Sequence, residues 1–143
     1  MKNIMIIIGS FFLLGCSSPK ITDSDITGTW IADDGAVFEI KSDNTLIYKN
    51  VSGDKMFNGF WQYANQNVSG SGTWELERMY GKWIVRLGLY SDGITGGFST
   101  RFDISGSNWL ENKPPWYLFT WIGDPDNGER YSFYKKDPPK DKQ

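Results

Sequence analysis

Histidine is absent from the chain, and the single cysteine is Cys16. The first absence removes Ser-His and Cys-His nucleophile systems and every common zinc site. The second rules out an intramolecular disulfide, so stability has to come from packing. Neither sign of charge dominates: 17 Asp and Glu against 15 Lys and Arg leave a formal net charge of −2. That balance supplies no electrostatic footprint for nucleic acid or for anionic lipid. No window of ten or more residues carries the amphipathic period of a helix.

Carboxylates are the titratable chemistry that remains. Glu75 and Glu77 project from one face of an expected strand at a spacing compatible with a glycosidase pair. Alternating Glu on the outer face of a strand is ordinarily solvated surface, and they are read so here. Asp124-Pro125-Asp126-Asn127-Gly128-Glu129 has the look of a calcium loop but fails the EF-hand register: Gly128 comes one position early, and Lys135 stands where a bidentate Glu belongs. A Pro-Asp-Asn-Gly turn between two strands explains the same residues. Asn50-Val51-Ser52 and Asn67-Val68-Ser69 match the glycosylation acceptor pattern and are read as polar loops. The expectation is a protein without catalytic residues, metal or cofactor.

What the chain has in quantity is aromatic residues, with seven Trp, seven Tyr and nine Phe. It also has an organised start. Lys2 precedes an uncharged run from Ile4 to Leu14 that ends in Leu13-Leu14-Gly15-Cys16. A charged n-region, an apolar h-region and a small residue before a cut define a secretory leader, and this h-region falls short of the ~20 residues that span a bilayer. Leu13-Leu14-Gly15-Cys16 resembles the lipobox of bacterial lipoproteins. The resemblance implies that the Cys16 thiol is acylated, residues 1–15 are removed and Cys16 becomes the lipidated N-terminus, held in the membrane by palmitate-type chains. The alternative, an ordinary buried cysteine after a plain signal peptide, is disfavoured because the chain's only Cys sits at the cut site. Ser17 after the cysteine, rather than Asp, implies by the same resemblance an outer-membrane destination with the domain facing the periplasm.

Residues 16–26 are small, polar and aperiodic, and are expected to form a lipidated tether; residues 137–143 are charged, broken by proline and expected to be a disordered tail. Between them, residues 27–136 keep period two. Phe38 and Ile40 alternate with Glu39 and Lys41, and Phe98, Phe102 and Ile104 with Ser99, Arg101 and Asp103. Strands are expected near 27–32, 35–41, 44–51, 57–64, 71–78, 82–90, 97–104, 115–122 and 130–136. Asp33-Asp34-Gly35, Tyr80-Gly81, Asp92-Gly93 and Asp126-Asn127-Gly128 provide turn chemistry between them. The fold class is all-β, an antiparallel meander of eight to nine strands that removes its edges by closing into a barrel; an open sandwich is the alternative.

A local pattern recurs at uneven intervals: Gly28-Thr29-Trp30, Gly59-Phe60-Trp61, Gly72-Thr73-Trp74 and Gly81-Lys82-Trp83. A glycine lets the backbone bend at a strand start, and the Trp two residues on lies on the same face and can plug the core. The first copy, on the opening strand of a meander, resembles the Gly-x-Trp of lipocalins and small lipocalin-like domains, whose Trp closes one barrel end. The resemblance implies a small closed barrel. A carrier function for a small apolar ligand is what it would add.

The segment Trp116-Tyr117-Leu118-Phe119-Thr120-Trp121-Ile122 is apolar on both faces, although a barrel strand needs only its inner face apolar. Either the outer face is covered by another segment, or Tyr117 and Trp121, with Trp116 beside them, form an aromatic contact surface. The functional expectation is a membrane-anchored binding or interaction module of unknown partner, with an envelope protein or other envelope component as the first hypothesis. Small-ligand carriage is the alternative.

Overall fold

The computed structural model describes residues 20–105 and 116–136. The leader, Cys16, residues 106–115 and the expected tail over 137–143 lie outside the described residues. Eight strands follow one another round a closed antiparallel barrel in simple chain order. They are β1 (Gly28–Ile31), β2 (Val37–Ile40), β3 (Thr45–Ser52), β4 (Asn67–Met79), β5 (Lys82–Ser91), β6 (Gly97–Ile104), β7 (Tyr117–Trp121) and β8 (Arg130–Lys135). The ring closes where β1 meets β8, through the pairs Trp30–Lys135 and Ile31–Tyr134. The expected meander and its closure are therefore present, with eight strands.

The period-two pattern sets which residues fill the barrel. Phe38, Tyr48, Val85, Leu87, Phe102, Leu118 and Phe133 point inward and are buried. An eight-stranded barrel is just wide enough for side chains to fill, and rings fill this one. Phe38 stacks on Tyr48 with centroids 5.6 Å apart and meets the edges of Phe102 and Phe133 at 5.1 and 5.2 Å. Each such pair contributes about 0.5–1.5 kcal/mol beyond its area. One buried polar pair sits among them, Tyr48 Oη and Ser91 Oγ 2.6 Å apart. Burial pushes the Tyr48 hydroxyl above its usual range, and the Ser91 hydrogen bond partly offsets this.

Both barrel ends are plugged. At the first, a short helix α1 (Asp23–Ile26) lies across the opening with Ile21 and Ile26 buried. Trp30 is fully buried beneath it, and its Nε1 donates to the Ile26 carbonyl at 2.7 Å. Lys135 Nζ lies 5.6 Å from the Trp30 ring and donates to the carbonyls of Asp25 (2.9 Å) and Ser24 (3.4 Å). Residues 21–26, expected to be tether, thus belong to the folded unit. The physical reason is that the barrel mouth over Trp30 needs an apolar cover, and Ile21 and Ile26 supply it.

The second end departs further from expectation. No strand runs over 57–64. Residues 53–66 form a lid made of helix α2 (Gly53–Met56) and a 3-10 turn (Trp61–Tyr63). Ser52 Oγ caps α2 by accepting from Lys55 N at 3.4 Å. Gly53 lies so close to the Tyr63 carbonyl that no Cβ would fit between them. Met56, Phe57 and Tyr63 are buried; Phe57 stacks on Tyr63 at 4.3 Å and meets Phe98 at 4.9 Å. Strand propensity over 57–63 is overridden here by tertiary packing, in which Phe57 and Tyr63 are buried and Gly53 lies against the Tyr63 carbonyl.

The Gly-x-Trp copies separate accordingly. Trp30 and Trp74 are buried, and Trp74 Nε1 donates to the Lys41 carbonyl at 2.7 Å. Trp83 is partly buried against the core, whereas Trp61 is 87% exposed on the lid. Trp30→Ala is expected to cost about 3–5 kcal/mol in denaturant unfolding, and Trp61→Ala to stay within about 0.5 kcal/mol of wild type. Equal losses at the two positions would contradict this placement.

Candidate functional site

Along β7 the residues alternate as the sequence indicates. Leu118 points into the core, with Trp116 and Ile122 packed against it, while Tyr117, Phe119 and Trp121 face outward. Trp116 therefore stands apart from Tyr117 and Trp121, which the fold brings together. Two residues of β8 complete the outward strip. Arg130 lies opposite Trp121 and Tyr134 opposite Tyr117. The Arg130 guanidinium carbon is 4.4 Å from the Phe119 ring centre and 4.6 Å from that of Trp121, and Nη1 donates to Tyr117 Oη at 3.2 Å. Tyr117 and Tyr134 have centroids 5.5 Å apart, and Phe119 meets Trp121 edge-on at 5.4 Å. The outcome is graded: Phe119 is 7% exposed, Tyr117 and Trp121 are half-buried, and Tyr134 is 50% exposed.

Sequence reasoning missed Arg130 and Tyr134. Their signal is the outward parity of Arg130, Ser132 and Tyr134 against buried Tyr131 and Phe133, but joining them to β7 requires the strand register. Chemically the strip is a planar cation laid on two aromatic faces beside two phenol hydroxyls. Such a surface suits flat apolar and hydrogen-bonding groups of a partner.

No protein-family model, no curated protein and no solved structure shows significant similarity to this chain. What the protein does has to be read from its own geometry. The two other sequence motifs considered above fall into place as surface and turn. Glu77 accepts from Arg86 Nη2 at 2.6 Å, and Glu75 faces Arg86 across the β4–β5 pair. Residues Pro125–Asn127 form a 3-10 turn started by Asp124, whose Oδ1 accepts from Asp126 N, and ended by Gly128 at φ 73°.

Depressions occur on the outside of the barrel. One of about 380 Å³ lies over β4 and β5 and is lined by Thr73, Glu75, Arg86, Gly88 and Ser99; another of about 250 Å³ lies beside the lid next to Phe57, Phe60 and Trp61. Inside, the positions between α1 and the lid are occupied by the buried rings and aliphatic side chains already described.

A polar latch fastens the lid. Lys55 Nζ donates to Asp34 Oδ2 at 2.7 Å, Tyr131 Oη donates to Asp34 Oδ1 at 3.1 Å, and Ser52 N donates to Tyr131 Oη at 3.4 Å. The Lys55 ammonium also lies 4.9 Å from the Tyr131 ring centre. Burial pushes the Tyr131 hydroxyl well above its usual range. At Asp34 burial acts to raise the pKa, but the hydrogen bonds from Lys55, the Ala36 amide and Tyr131, with the Lys55 charge, together hold the carboxyl below its ordinary value of 3.8.

A carboxyl whose pKa is depressed by folding stabilises the protein above its unfolded pKa, and loses that contribution as pH falls through the folded value. Asp34→Asn is therefore expected to cost about 1 kcal/mol near neutral pH, and the gap to wild type to close below about pH 4. Unfolding curves recorded from pH 7 to pH 2 check this. A gap that is constant across the range would contradict the latch.

Proposed function

We propose that this protein is an acylated lipoprotein, anchored through Cys16 to the periplasmic face of the outer membrane, whose lipocalin-like barrel serves as a binding module for an envelope protein. The observation that carries the binding half is the division of the aromatics. The interior rings are packed between two plugged ends, while Tyr117, Trp121, Tyr134 and Arg130 stand on the outer face. Among the described residues the apolar interior is filled by the protein's own side chains, which weighs against carriage of a small apolar ligand. Aromatic and arginine side chains are those in which interface energy concentrates. The anchoring half rests on the Leu13-Leu14-Gly15-Cys16 signature and on the absence of any other cysteine.

Two measurements test it. Cys16→Ser is expected to abolish uptake of labelled palmitate and to leave unprocessed precursor; labelling that persists in the variant rules out the anchor. For the contact surface, a photo-crosslinking residue is placed at Tyr134 and, as a control on the far side of the barrel, at Lys49. Irradiation of intact cells is expected to yield a discrete heavier species from position 134 and not from 49, and Trp121→Ser is expected to remove it. Equal products from both positions, or none from either, would exclude the strip as an interface.

A further inference from the structure

The β4–β5 hairpin carries a residue that its own fold does not use. Met79 and Lys82 pair, and Tyr80 and Gly81 between them form the two-residue turn with φ of 49° and 80°. Positive φ at both positions is the type I′ geometry that right-twisted strands demand, and Asn-Gly is its natural sequence. A ring as large as tyrosine's is a costly choice there. Tyr80 is also 97% exposed, so packing does not compensate it.

The position of the hairpin supplies the reason. In an antiparallel meander the odd-numbered strands start, and the even-numbered strands finish, at the end where β1 starts. That is the end covered by α1, and the β4–β5 turn lies there. Ile21, buried under α1, is only five residues from Cys16. Fully extended, that stretch reaches about 18 Å. An acyl group on Cys16 therefore keeps the α1 end of the barrel within reach of the headgroups but does not by itself fix its tilt. Exposed Lys20, Arg78, Lys82 and Lys136 share this end with Asp23 and Asp43.

We infer that the Tyr80 hairpin is a second membrane contact, which seats the barrel on the lipid surface with the Tyr80 ring at headgroup level and Arg78 beside the phosphates. Tyrosine is enriched at that depth because its ring is apolar and its hydroxyl is wet. Two contacts, the acyl chains and the hairpin, turn a swivelling anchor into a fixed orientation. The side wall that carries Tyr117, Trp121 and Tyr134 then stands upright from the membrane. This inference rests on the proposed acylation of Cys16.

The test uses the processed, acylated protein that begins at Cys16, in vesicles of phosphatidylethanolamine and phosphatidylglycerol that carry a headgroup nitroxide. With Cys16 blocked as a thioether, an introduced cysteine is the sole free thiol. A fluorophore at Lys82→Cys, beside the hairpin tip, is expected to lose emission, and one at Asp126→Cys, on the opposite end, to keep it. Tyr80→Asn is expected to relieve the quenching at position 82 without lowering the melting temperature, since Asn suits the turn better. Equal quenching at the two ends, or quenching at 82 that Tyr80→Asn leaves unchanged, overturns the hairpin contact. Mass spectrometry of the same sample separates the two readings: an unmodified Cys16 removes the anchor and this inference together, whereas an acylated Cys16 with an unquenched hairpin removes the inference alone.

Discussion

Everything in this domain depends on closing an eight-stranded sheet around aromatic rings. The chain has no disulfide to hold it, and its described helices are single turns. Stability therefore comes from side chains meeting in the middle, and Phe38 is the hub where Tyr48, Phe102 and Phe133 converge. Those four residues come from β2, β3, β6 and β8, so one ring ties together strands far apart in sequence. Rings of this size use up the bore of a small barrel. Among the described residues, the rings that stabilise the fold are thus also the ones that fill its interior.

Closure also fixes what the ends must do. The seam between β1 and β8 is short, with two residue pairs, and Trp30 beside it has to be kept dry. Ile26 accepts the indole N–H, and Lys135 lays its ammonium over the ring while donating to two α1 carbonyls. Burial pushes the Lys135 pKa down, and nearby Asp25 partly restores it. At the far end the Asp34, Lys55 and Tyr131 latch does the equivalent work for the lid. With both ends covered among the described residues, the large side chains left on the outside include the Arg130 strip, Trp61 and Tyr80.

The barrel was legible in the sequence because a half-buried strand imposes period two, and because the hairpins spell out their turns, as at Asp33-Asp34-Gly35 and Tyr80-Gly81. The lid was not. Phe57, Phe60, Trp61 and Tyr63 have strong strand propensity, and the decision against a strand comes from Gly53 lying against the Tyr63 carbonyl, a contact between residues ten apart. Ile21 and Ile26 were hidden for another reason: two isolated apolar residues in a polar stretch have no period to read, and it is the open mouth over Trp30 that recruits them. For the candidate site, the outward face of β7 was visible as an excess of apolar residues. Its partner Arg130 was not, because a guanidinium that covers Phe119 and Trp121 is set by register, and register is a property of two strands together.

A filled, sealed barrel and a hollow one differ most directly in what they take up. The decisive measurement is titration of the chain lacking residues 1–16 with a fluorescent fatty acid, following energy transfer from its tryptophans. A barrel occupied by its own rings gives no saturable transfer and an unchanged melting temperature. Saturable one-to-one uptake with a rise in melting temperature would contradict it, and would make the interior, rather than the outer wall, the working surface of this protein.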